Sequence, residues 1–170
     1  MSKRLGMAAL GAVMLLTAGV ALATAAPSAP SASGTATGST TVIRLTDGAP
    51  SQARLLDLGP YGPSLGDQFV ASDTLFRSGA RVGRVGRVCT LVRVSRTAPV
   101  TTTSQCVATL ALPRGQVAAQ GLETIRDEGD VARSTLAITG GTGTYKTAHG
   151  ELHRLDVAGQ PTQLTLVLIR

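Results

Sequence analysis

The residues best equipped for chemistry gather in one C-terminal stretch. His149, Glu151 and His153 alternate, so on a β-strand they share one face. Two imidazoles and a carboxylate are a familiar metal-ligand set. The spacing argues against that use. Four residues of strand span about 13 Å, whereas a metal sits about 2 Å from each ligating nitrogen. The two histidines do not converge without a bend, and no metal is expected here. Just upstream, Ala137-Ile138-Thr139-Gly140-Gly141-Thr142-Gly143-Thr144-Tyr145-Lys146-Thr147-Ala148-His149-Gly150 is the most distinctive text in the chain. It is not a phosphate-cradling P-loop, because Tyr145 rather than glycine precedes Lys146. It is not a dinucleotide fingerprint, because Lys146 stands three residues after Gly143. As plain structure it is a glycine turn after a strand ending near Thr139. One helical turn would bring Tyr145 and Ala148 to one side, against a core.

The elements that must position these groups read as strands. Helical periodicity is scarce. Short runs rich in Val, Leu and Thr recur between Gly, Pro and Asp, the pattern of a sandwich or barrel. The strands expected are 41–46, 68–77, 85–94, 105–112, 116–124, 132–139, 150–157 and 162–169. Residues 53–58 form a further short strand or an irregular crossing. Turns are expected at Ser78-Gly79, Pro113-Arg114-Gly115, Asp127-Glu128-Gly129-Asp130 and Ala158-Gly159-Gln160-Pro161. Short connections favour antiparallel neighbours, and eight such strands close into a small barrel without an edge.

Ahead of this domain the chain reads as an export signal. Lys3 and Arg4 precede an uncharged apolar run from Gly6 to Leu22, and Ala23-Thr24-Ala25 fits a cleavage site. Residues 1–25 are therefore expected to be a secretory signal peptide. The apolar run is short for spanning and rich in Ala and Gly, which argues against a stable membrane anchor. Residues 26–40 contain only Ala, Pro, Ser, Gly and Thr and read as a flexible linker. Residues 41–170 remain as one domain with one core. Loss of Lys3 and Arg4 lowers the formal charge from +6 to +4.

The glycine run resembles the signature of the allene oxide cyclase and dirigent proteins: Ile-Thr-Gly-Gly-Thr-Gly-x-Tyr-x-x-Ala-x-Gly. The resemblance continues, in the right order, in Gly66-Asp67-Gln68-Phe69, Val88-Cys89-Thr90-Leu91-Val92 and Ala108-Thr109-Leu110. It implies an all-β, calycin-like, eight-stranded antiparallel barrel that forms a homotrimer through its outer surfaces. It also implies a small apolar ligand, without a cofactor, and a cyclisation, isomerisation or coupling steered inside the barrel. The position of His149 is a cavity Arg in dirigents and a pocket Tyr in the cyclases, which implies that His149 points inward. Asp73 falls where the cyclases carry a pocket Asn. A carboxylate inside a barrel is costly unless paired, so Asp73 is either a paired structural residue or a working acid or base. Asp73 and His149 are thus the candidate catalytic pair, with Arg44 and Tyr145 as secondary ligand-binding candidates. There are departures. Thr144 stands where dirigents are acidic. The first-strand acidic residue of both families aligns with Arg44, which cannot serve as a general base. A non-catalytic carrier is the alternative to an enzyme.

Three features bound this reading. Cys89 and Cys106 lie on adjacent expected strands of an exported chain, which favours a disulfide; the alternative is a reactive thiol. The last strand, Gln163-Leu164-Thr165-Leu166-Val167-Leu168-Ile169, is apolar on both faces past Thr165, so its outer face is expected to meet another chain or segment. Arg77, Arg81, Arg84, Arg87, Arg93 and Arg96 crowd one hairpin and suggest a polyanion surface, with a basic cell-envelope-associated protein as a further alternative. Phe76 is the one aromatic among them, so stacking platforms for nucleic acid are missing, and no nucleic-acid partner is expected. The other reading of the run is a solvated rim with ion pairs to Asp67, Asp73 or Glu123.

Overall fold

The structure is a computed structural model that describes residues 38–48, 52–97, 100–126 and 131–169. The expected signal peptide, residues 1–25, most of the expected linker 26–40 and the turn expected at 127–130 lie outside the described residues. The elements are β1 (Thr40–Asp47), β2 (Gln52–Leu56), β3 (Gln68–Arg77), β4 (Ala80–Ser95), β5 (Thr101–Leu112), β6 (Gly115–Arg126), β7 (Val131–Gly141), β8 (His149–Val157) and β9 (Gln163–Ile169). A single 3-10 turn, Gly143–Tyr145, separates β7 from β8.

Every pairing is antiparallel, and the sheet runs β1-β9-β8-β7-β6-β5-β4-β3-β2. It closes where Thr46 and Asp47 of β1 pair with Phe76 and Leu75 of β3. β2 lies further along the same edge of β3, in the same direction as β1. β1 and β2 therefore act as two halves of one staggered strand, and the result is the closed eight-stranded antiparallel barrel. The 53–58 run proves to be the strand Gln52–Leu56 rather than an irregular crossing.

The hairpin turns follow local chemistry. Ser78 and Gly79 both take positive φ, 49° and 80°, as a two-residue hairpin between β3 and β4 requires. Tyr145 and Ala148 are buried together, as the spacing anticipated. Gly143 lets this turn lie against the β5–β6 hairpin: a Cβ there would overlap the carbonyl oxygen of Arg114.

Alternation sets the inside. Ile43 and Leu45 of β1, Leu75 of β3, Val85 and Cys89 of β4, and Leu164, Leu166 and Leu168 of β9 all enter the barrel. Leu75, Leu110, Leu166 and Leu168 are 0% exposed, so the middle of the barrel is a packed core rather than a channel. Cys89 and Cys106 face each other across β4 and β5 and form a disulfide, with Cα atoms 4.0 Å apart.

The outer surface keeps apolar groups uncovered. Val42 and Val167 oppose each other on β1 and β9, next to Ile169. Val88 opposes Val107 on β4 and β5, and Leu122 lies on β6. Among the described residues, the outward side of the last strand leaves Ile169 exposed and Thr165 and Val167 half-buried. Among the described residues no helix is long and apolar enough to cross a membrane.

Candidate functional site

Among the described residues, the charged side chains of the barrel interior gather at one end. The inward series Ile43, Leu45 ends on Asp47. The series Leu75, Asp73 runs toward the same end on β3, as does Leu152, Arg154, Asp156 on β8. β4 adds Arg87 between Val85 and Cys89, and β6 adds Glu123. Asp47, Asp73 and Glu123 are 7%, 5% and 6% exposed. Six ionisable side chains thus cap the apolar core beneath the barrel mouth.

Two cavities open at this end. The polar one, about 460 Å³, is lined by Asp47, Asp73, Arg87 and Arg154, with Thr162 and the 159–161 turn at its rim. A throat of about 20 Å³ continues it inward to Glu123, Leu136 and Leu152. The apolar cavity, about 340 Å³, is walled by Phe69, Leu91, Leu55, Ile125 and Cys89 of the disulfide. Its roof is the loop between β2 and β3. Asp67 holds that loop by accepting hydrogen bonds from Leu58 N at 2.9 Å, Ser64 N at 2.8 Å and Ser64 Oγ at 3.1 Å. These donors hold the Asp67 carboxyl below its ordinary pKa, the Leu58 and Ser64 amides first. Leu91 N donates to the Asp67 carbonyl at 2.8 Å and ties the loop to β4.

Arg87 stands between the cavities. Its guanidinium carbon lies 5.2 Å from the centre of the Phe69 ring, a cation–π stack. Burial, then the neighbouring Arg154, lowers its pKa, opposed by Glu123, Asp156 and Asp73. Arg154 is ion-paired with Asp156, which also accepts the Thr162 hydroxyl. Ser134 Oγ donates to Glu123 Oε1 at 2.8 Å. Both Arg87 Nε and Arg154 Nε are buried with no acceptor among the described residues. Asp47 has its pKa raised, first by burial and then by the charges of Asp73 and Asp156, against a hydrogen bond from Thr162 and the charge of Arg154.

The sequence candidates divide. Asp73 is buried and lines the polar cavity. His149 is exposed on the outer face: Ala148, just before β8, and Leu152 within it are buried, which sends the odd-numbered residues of β8 out. The expected pairing of Asp73 with His149 in one cavity is corrected accordingly. His153, also outward, contacts Glu151 at 3.2 Å and Thr135 Oγ1 at 3.1 Å. Arg44 is likewise outward, between the buried Ile43 and Leu45, and lines a groove on the outer surface. The inward carboxylate of the first strand is Asp47, three residues on. Tyr145 is buried, but in a cavity with Ile43, Val82 and Leu112 at the other end. Along β4 the five residues from Val82 to Arg87 span about 16 Å, so Tyr145 does not reach the polar mouth.

Arg87, Asp47, Glu123 and Arg154 were not singled out in the sequence as site residues. Each sits two positions along a strand from a buried apolar or small residue, and that period was the available signal. In the arginine run, Arg77, Arg81, Arg84, Arg93 and Arg96 are exposed, while Arg87 turns inward. Cys89 Sγ, Cys106 Sγ and a Glu123 carboxylate oxygen lie within 4.8 Å of one another, but the disulfide already occupies both sulfurs.

Comparison with known proteins agrees with this architecture. No curated protein matches the chain. The solved structure of "Pyocyanin demethylase" is 30% identical, covers 75% of this chain and 99% of its own, and superposes with a TM-score of 0.65. The exo-specific intermolecular Diels-Alderase AbnU is 17% identical over 78% of this chain and 100% of its own, with a TM-score of 0.59. The Diels-Alderase AbmU from Streptomyces koyangensis is 15% identical over 77% of this chain and 63% of its own, with a TM-score of 0.57. At those identities the two Diels-Alderases speak for the fold alone. The family described as "Allene oxide cyclase barrel like domain" matches residues 39–169, and the chain belongs to it.

Proposed function

We propose that the chain is an exported barrel that binds a small, mainly apolar molecule at the mouth between the β2–β3 loop and the Arg87–Asp73–Asp47 cluster. There it steers a cyclisation, isomerisation or coupling of that molecule. One observation carries the reading: Arg87, in a cavity lined by buried, oppositely charged groups, stacks on Phe69, which walls a 340 Å³ apolar cavity. Ligand pockets pair an apolar wall with a few converging polar groups in this way. Catalysis would rest on holding the substrate in one reactive conformation out of water, with Asp73 moving or placing a proton. His149, exposed on β8, has no part in this version of the site. The outward apolar residues Val42, Val167 and Ile169 support assembly of a homotrimer.

The test is binding. The neutral fluorophore N-phenyl-1-naphthylamine, and pyocyanin by analogy with the 30%-identical demethylase, are titrated into the folded domain. Saturable binding that is lost when Ser104→Phe fills the apolar cavity, at unchanged fold, is the result expected. Binding that survives Ser104→Phe contradicts this location. Binding without conversion of any bound compound is the carrier outcome.

A further inference from the structure

We propose that the mouth is built for a neutral, apolar carbonyl compound and moves a proton at the carbon beside the carbonyl, with Arg87 as the oxygen's hydrogen-bond donor and Asp73 as the base. This rests on the binding site proposed above and adds the substrate class and the reacting groups.

Three observations converge. First, Arg87 has a buried Nε–H with no acceptor among the described residues, and its guanidinium stacks on Phe69, at the edge of the apolar cavity. Buried donors of this kind demand an acceptor. A ligand lying along Phe69, Leu91 and Ile125 would present its polar end there. Second, the charge balance selects the acceptor. The charged groups lining the cavities are Asp47, Asp57, Asp67, Asp73, Glu123, Arg87 and Arg154, with Asp156 beside Arg154. Arg154 is neutralised by Asp156, and the remaining carboxyls outnumber Arg87. A ligand carboxylate would add like charge to this set, whereas a carbonyl oxygen accepts from Arg87 without doing so. Third, Asp47 and Asp73 line one cavity and act on each other electrostatically. Paired carboxyls that resist joint ionisation supply one acid and one base. Both carboxyls are buried, and Arg87 acts electrostatically on Asp73, so Asp73, beside that cation, is taken as the ionised member and the proton acceptor.

The step balances without a co-reactant. An Asp73 carboxylate oxygen takes the proton from the carbon next to the carbonyl. The C–H electron pair becomes the C=C bond of an enolate, and the carbonyl π pair moves onto oxygen. Arg87 donates to that oxygen as charge develops, with the Asp47 carboxyl as second donor. Asp73 returns the proton to the same carbon, which exchanges or inverts it, or to a conjugated carbon, which shifts the double bond and gives an isomerised ketone.

The probe is 2-tetralone, a flat neutral ketone with acidic C1 hydrogens. Deuterium uptake at C1 in D2O is followed by NMR with the intact folded chain, and binding is followed separately by ligand-observed saturation transfer. The expected result is uptake well above the buffer rate. Asp73→Asn lowers it by about 100-fold or more, with 2-tetralone still bound. Arg87→Met lowers it by roughly 100-fold, and Arg87→Lys restores part of the loss. Circular dichroism excludes misfolded variants, and Asp73→Glu provides a second carboxylate if the Asn variant does not fold. Bound 2-tetralone without accelerated uptake overturns this inference and leaves the binding site standing. Failure to bind 2-tetralone while N-phenyl-1-naphthylamine binds overturns it in the same way. Uptake unchanged in Asp73→Asn removes Asp73 as the base.

Discussion

The disulfide offers a perturbation whose size follows from the fold. Cys89 and Cys106 are 17 residues apart in sequence and directly opposed across β4 and β5. Reduction leaves both sulfurs buried in the same wall, so packing is nearly conserved and the change falls on the unfolded chain. Closing a loop of 17 residues removes about 10 cal/mol/K of unfolded-state entropy, or about 3 kcal/mol at 25 °C. With a urea m-value of about 1.5 kcal/mol/M for a domain of this size, the midpoint should fall by about 2 M. The assay is equilibrium urea unfolding with and without reductant, with thiol counting to confirm both states. Transitions that superimpose within about 0.3 M would refute the reasoning, because a gain that small is far below the loop-closure entropy. It would mean that the unfolded chain already keeps β4 and β5 together.

Other consequences follow from the same geometry. Leu168→Asp should prevent folding, because Leu168 is fully buried, whereas Val167→Lys should leave the fold and weaken self-association, read by light scattering against the unmodified domain. Asp47 has a raised pKa, so the native state binds the extra proton between the ordinary value of 3.8 and the raised one. Stability therefore falls as pH rises through that window, and Asp47→Asn should raise the thermal midpoint at pH 7 and flatten the profile. Asp67 is the opposite case: its lowered pKa gives stability above the ordinary value that is lost as pH falls through the native one, and Asp67→Asn should remove that acid limb and loosen the β2–β3 loop in hydrogen exchange. His149→Ala should change neither ligand binding nor the thermal midpoint measurably, since the ring is exposed.

The fold was legible because period-two patterning and turn chemistry agree along the chain. The Ser78-Gly79 hairpin, the Tyr145/Ala148 spacing and the Cys89/Cys106 strands each carried local information that the structure honours. The site was legible only in part. Asp73 sits in a strand whose alternation is clean, so its inward direction follows from Leu75. His149 follows a glycine turn, where parity is lost: the sequence does not say which residue of Ala148-His149-Gly150 restarts the inward series. Arg87 was hidden among exposed arginines of the same hairpin, because composition treats six guanidinia alike while the pleat sorts them. Asp47 was missed for a related reason. The first strand was matched through Arg44, whereas the buried carboxylate of that strand lies three residues later, beyond the short apolar run that suggested the alignment.

The central claim, that a ligand enters at the Phe69–Arg87 mouth, is tested most directly by mapping amide chemical-shift changes as N-phenyl-1-naphthylamine is titrated into the folded, isotope-labelled chain. The account predicts saturable shifts concentrated on Phe69, Arg87, Cys89, Leu91 and Ser104 and in the β2–β3 loop. Shifts confined to the outer groove at Arg44 and Gln163, or to the Tyr145 end of the barrel, would contradict it.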